Sequence, residues 1–146
     1  VARYIQLPWS ATTGQGAVLD QYANMESMEP YRSQPLPDLS VPMSDFKTKH
    51  SLAFSFSGLA SQVERVVKAQ THLNDAASGL EEVAPGDEKP VVGEALKREI
   101  SRLFQKAAIR HITDKVKLAL SQPELRDVTA LVVSGGVASN QSLRTK

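Results

Sequence analysis

The stretch TALVVSGGVASNQSL, Thr129 to Leu143, places a short apolar run before two glycines and then a small-residue turn that carries an asparagine. Read by pattern, DVTALVVSGG is a buried strand that stops on Gly135 and Gly136, and the residues after it begin a new helix. A strand that ends in Gly-Gly and feeds a helix aims backbone N–H groups and the positive end of the helix dipole at one point, which suits a phosphate or another anion. Glycine there would let a ligand approach the main chain, although the same pair also serves any tight strand-to-helix turn. The pattern predicts an α/β fold.

Working outward, VARYIQL (residues 1–7) has helical spacing and closes at Pro8, and SATTGQG is a polar, glycine-bearing loop leading into a short helix, GAVLDQYANM. Prolines 30, 35, 37 and 42 prevent a continuous helix between Met28 and His50. LAFSFS alternates Leu52, Phe54 and Phe56 with Ala53, Ser55 and Ser57, the pattern of a half-buried strand. Leu59, Val63, Val66 and Val67 then mark an amphipathic helix running to Gln70 or Asn74. Residues 74–90 lose this period and collect Gly, Pro and acids, so a mobile acidic insertion is expected there. Leu96, Ile100, Leu103, Phe104 and Ala107 share one face of a further helix, with Ile112 and Val116 beyond them and Pro123 as its latest end.

Composition narrows the function classes. A chain of 146 residues, 41% hydrophobic and only 5% aromatic, fits one α/β domain with a lean core. Seventeen basic against sixteen acidic residues leave +1, so any basic patch must be local. The absence of cysteine excludes a disulfide scaffold and a thiolate metal site or nucleophile. The longest strictly apolar run near the C-terminus, Ala130 to Val133, is far too short to cross a membrane, and no membrane partner is expected. Val1 is not a methionine and ASNQSLRTK reads as a helix without a stop, so an internal piece of a longer protein is expected.

Three segments resemble one family. SGGVASNQSLR is similar to the GGVxxNxxLR signature of TsaD proteins, the universal tRNA threonylcarbamoyladenosine transferases, and its VVSGGVASN version looks like the mitochondrial, O-sialoglycoprotein endopeptidase-like branch. FSFSGLASQVERVV resembles the family's FSFSGLKT segment, and GQGAVLDQYA its GGPxLDxLA segment, so the likeness spans Gly14 to Arg144. The chain departs from the pattern at Gln15, at Ala17 in place of proline, and at Ala60 in place of lysine.

The resemblance implies a two-lobe fold of the actin, heat-shock-protein and sugar-kinase type (ASKHA), of which this chain would supply second-lobe helices and a buried strand. It implies transfer of threonylcarbamoyl from threonylcarbamoyl-AMP to N6 of an anticodon-loop adenosine in tRNAs reading codons that begin with A. The adenine nucleotide site would use Gly16, Asp20, Gly135, Gly136 and Asn140. Gly16 would permit a backbone contact, Asp20 would accept from ribose hydroxyls, and Asn140 would face an adenine edge. These are binding residues, and none is a candidate general base. The family's divalent metal, iron or zinc, uses an HxxxH motif and an aspartate in regions that these 146 residues do not include, so no ligand is assigned here. The resemblance also implies a mitochondrial location, with a cytoplasmic one as the alternative. On this reading the chain alone is inactive.

Plainer readings stand beside these. Asp20 could be a first-turn helix acid and Asn140 a helix cap. His50, His72 and His111 lie 22 and 39 residues apart without acidic partners at ligand spacing, and SFSG is not a nucleophile elbow, so neither a metal site nor a hydrolase is read here. On residues 94–117, seven cations (Lys97, Arg98, Arg102, Lys106, Arg110, Lys115 and Lys117) face three acids. A solvated helix face explains this, and phosphate contact with tRNA through Arg102, Lys106 and Arg110 is the sharper alternative. Two other classes remain open: a small-molecule kinase of the same superfold, and a non-catalytic helical module that pairs with a second copy as a homodimer or with a larger complex.

Overall fold

The computed structural model describes residues 1–8, 12–26, 36–78 and 92–145. Among these residues four helices follow one another: α1 (Gln15–Asn24), α2 (Ser57–Ser78), α3 (Glu94–Leu120) and α4 (Gln141–Arg144), with 3-10 turns at Pro123–Leu125 and Gly136–Ser139. The chain opens in a hydrogen-bonded turn, Tyr4 and Ile5 N–H to the Val1 carbonyl and Leu7 N–H to Ala2, which Gln6 ends at φ 54°.

Periodicity explains the packing. Leu96, Ile100, Leu103 and Ala107 form one stripe of α3 and meet Val18 and Leu19 of α1 and Leu59, Val63 and Val67 of α2. Ile5, Leu7, Leu36, Leu39 and Val92 complete the core. Each such side chain contributes about 1.5–3 kcal/mol by leaving water. The loop bearing Leu36 and Leu39 is pinned to α2 by Gln62, whose side chain accepts from Ser40 N–H at 2.7 Å and donates to its carbonyl at 3.1 Å. α1 docks mainly on α3. There the Tyr22 hydroxyl, its pKa raised by burial and by the Glu94 carboxylate, meets the first turn of α3.

The α/β expectation is overturned: among the described residues there is no strand. Residues 128–134 have no regular structure and turn their apolar side chains outward, with Leu131, Val132 and Val133 exposed at 58%, 87% and 56%. Apolar content and β-propensity do not make a strand without a neighbour to take its N–H and C=O groups, and no described segment pairs with this one. The same reason applies to Leu52, Phe54 and Phe56, which are exposed at the positions expected to be buried. The ASKHA-type two-lobe fold with its buried strand is therefore not the architecture of this structure.

One helix limit also differs from the sequence reading, and another agrees with it. α2 continues to Ser78, beyond Asn74, while the remainder of the expected insertion, 79–90, lies outside the described residues. α3 stops at Leu120, within the limit set by Pro123.

Candidate functional site

α1 carries Gly16, Asp20 and Asn24 at helical i, i+4 spacing, on one face. Asp20 lies half-buried where α1 meets α3, and three side-chain amides converge on its Oδ1: Asn140 Nδ2 at 2.7 Å, Asn24 Nδ2 at 2.9 Å, and Gln105 Nε2 from the buried side of α3. The second carboxylate oxygen, Oδ2, has no hydrogen-bond partner among the described residues. Among the described residues, then, three donors hold one oxygen and none holds the other.

Asn140 works at both ends of its amide. Its Oδ1 caps α4 by accepting from Leu143 N–H at 2.9 Å, and its Nδ2 reaches Asp20, 120 positions away in sequence. Because an amide nitrogen carries two hydrogens, one donor remains for a ligand. The capping role and the reach to Asp20 coexist.

Gly135 has φ 88° and ψ 178°, a backbone conformation that side chains rarely adopt, and this by itself calls for glycine. The following 3-10 turn, with Ala138 N–H bonded to the Gly135 carbonyl at 3.0 Å, delivers Asn140 to α4. Gly16 and Gly136 are exposed, and an added Cβ would meet nothing within 4 Å at either or at Gly135. The structure therefore brings Asp20 and Asn140 into contact and leaves open space beside the three glycines.

Arg102, Lys106 and Arg110 line a groove of about 680 Å³ along α3, with Asn24, Gln105 and Ser142 at its α1 and α4 end. Arg102 pairs with Glu99 at 2.8 Å, Lys106 with Asp38 at 2.9 Å, and Arg110 approaches Asp114 at 3.7 Å. Lys115, counted with these cations by sequence, does not belong to that face: it is 5% exposed, and its ammonium donates to the carbonyls of Met43, Thr48 and Lys49 at 3.4, 3.1 and 3.2 Å. It anchors the 43–49 loop beneath α3.

His111 is a core residue. Its Nε2 accepts from Ser55 N–H at 3.2 Å, so it carries no proton there, and the rings of Phe54 and Phe56 stand edge-on to it at 5.7 and 5.3 Å. Burial first, and then the Lys115 charge, push its pKa below the ordinary imidazole value, against weaker pulls from the Pro42 carbonyl and Asp114. Among the described residues no group of three or more His, Cys, Asp or Glu side chains could hold a metal ion, so the iron or zinc implied by the resemblance does not fit this set of residues. No described helix is long and apolar enough to cross a membrane.

Asn24 and Gln105 were missed by sequence reasoning. Asn24 could have been found as the next i+4 position after Gly16 and Asp20. Gln105 was detectable as a polar residue between the buried Leu103 and Ala107.

The model of the family described as TsaD, tRNA N6-adenosine threonylcarbamoyltransferase, matches residues 1–146. Over 143 residues the chain is 34% identical to the mitochondrial tRNA N6-adenosine threonylcarbamoyltransferase of Schizosaccharomyces pombe, covering 98% of this chain and 29% of that protein. It is 30% identical over 144 residues to a tRNA N6-adenosine threonylcarbamoyltransferase of Nitratidesulfovibrio vulgaris, covering 99% and 35%. The chain thus spans about a third of the length of these relatives. No solved structure matches it at a significant level.

Proposed function

The chain belongs to the tRNA N6-adenosine threonylcarbamoyltransferase family, and on that premise we propose that it is the nucleotide-binding part of an enzyme that transfers threonylcarbamoyl from threonylcarbamoyl-AMP to N6 of a tRNA adenosine. The supporting observation is the pairing of Asp20 with Asn140. Asp20 Oδ2 accepts hydrogen bonds from the ribose hydroxyls, and the second Nδ2 hydrogen of Asn140 is offered to the nucleotide. Gly16, Gly135 and Gly136 leave the main chain open to it.

In the reaction the N6 nitrogen forms a bond to the carbamoyl carbon, the bond from that carbon to the phosphate oxygen breaks, AMP leaves and the amine loses a proton. These residues orient the AMP half; none of them moves that proton. The partners are tRNA and an adenine nucleotide, and the location is mitochondrial, as in the fission yeast relative.

The test is threonylcarbamoyl transfer by the full-length protein that carries this chain, read by mass spectrometry of the modified nucleoside. Asp20→Asn should lower kcat/KM about ten- to a hundredfold, the loss expected for one hydrogen bond to a charged group. A variant as active as the parent protein would remove Asp20 from the site.

A further inference from the structure

The groove along α3 is lined by a row of cations. Arg102, Lys106 and Arg110 recur at four-residue intervals, so their positions advance by about 6 Å per step along the helix, comparable to the distance between successive phosphates of one nucleic-acid strand. Asp114 takes the next such position, and Lys117, seven residues beyond Arg110 and about 10 Å along the helix, lines the same groove with no side-chain partner among the described residues. Among the described residues these four cations share the groove lining with one carboxylate, Asp114.

The ion pairs of Lys106 and Arg110 are exposed and replaceable, whereas Arg102 is held at 2.8 Å by Glu99, which is only 21% exposed. Arg110 and Asp114 are 70% and 53% exposed, and Lys106 and Asp38 63% and 66%, a setting in which such pairs contribute little and phosphate can take the place of carboxylate. Among the described residues no aromatic ring lines the groove, so they offer bases nothing to stack on, while the row of cations suits a charged backbone. Its volume of about 680 Å³ exceeds what a single phosphate fills, and Asn24 and Gln105 belong both to its wall and to the Asp20 cluster.

We infer that this groove binds the phosphodiester backbone of an RNA strand, independently of base sequence, and that Asp114 limits its affinity by competing with phosphate for Arg110. The inference rests on the tRNA reading above and gives it a surface. A strand lying in the groove runs toward the Asp20 and Asn140 cluster.

The test measures binding of an unmodified tRNA transcript, and of an unstructured RNA oligonucleotide, to the full-length protein by fluorescence anisotropy across a salt series. Arg110→Ala and Lys117→Ala should each flatten the dependence of log K on log salt by about 0.7–0.9 for both RNAs. Asp114→Asn should tighten binding about two- to fivefold. Unchanged slopes in both basic variants, or weaker binding by Asp114→Asn, would overturn the inference. The AMP-induced rise in Tm, measured on the same proteins, reports the nucleotide cluster separately: its absence from every protein would sink the nucleotide reading, while the slopes alone decide the groove. Unliganded Tm values within a few degrees of the parent establish that the variants are folded.

Discussion

Asn140 donates from Nδ2 to Asp20 Oδ1 at 2.7 Å while its own Oδ1 caps α4, so one side chain ties the end of the chain to α1. Asp20 is held from three sides on the same oxygen, and no described residue donates to Oδ2. A solvated helix acid would need none of this. The convergence of amides from α1, α3 and the start of α4 is therefore the feature on which the proposed nucleotide site rests.

The two glycines of the turn should respond differently to alanine. Gly135→Ala forces a side chain into φ 88° and should cost about 1–2 kcal/mol of stability, although the space around it is open. Gly136→Ala meets no protein atom, so it should leave the unliganded Tm nearly unchanged and lower AMP affinity if the nucleotide lies against the main chain there. Thermal unfolding with and without AMP reads both. A Gly136 variant with full AMP stabilisation would place the nucleotide elsewhere.

Lys115→Met keeps the length of the side chain but removes its three hydrogen bonds to the 43–49 loop. Leaving those carbonyls without their buried partner should cost about 1–3 kcal/mol, read as a lower urea midpoint. A midpoint equal to that of the parent would mean that the loop finds water instead.

His111 makes stability depend on pH. Its pKa is lowered in the folded state, so the unfolded chain binds the proton first as pH falls below the ordinary value of 6.5. Its contribution is fully present above pH 6.5 and is lost as pH falls from there through the folded-state value. His111→Asn, which does not titrate, should show a shallower loss of Tm below pH 6.5 than the parent. Parallel curves would show that His111 accepts its proton in the folded chain as readily as in the unfolded one.

How much of this was legible in the sequence follows from what each feature needs. The stripe Leu96, Ile100, Leu103 and Ala107, and the line Leu59, Val63 and Val67, are local patterns, and the helices they predict are present. Thr129 to Val133 has the composition of a strand, yet a strand is a relation between two segments, and composition cannot supply the second. The approach of Asp20 to Asn140 was not readable from spacing; only the resemblance named both residues for one site. Lys115 was misplaced because a charge count does not distinguish a cation facing water from one under a loop of carbonyls. Gln105 was legible as a polar residue on a buried face, although its partner was not.

The most direct test of the nucleotide site is isothermal calorimetry of AMP binding to the full-length Asn140→Ala protein, set beside its unliganded Tm. Losing the ligand contact should weaken AMP binding about five- to a hundredfold, with the lost α4 cap lowering stability by only about 1 kcal/mol. Unchanged AMP affinity together with a lowered Tm would mean that Asn140 serves only as a cap and as a tie to Asp20, and would contradict the assignment of the site.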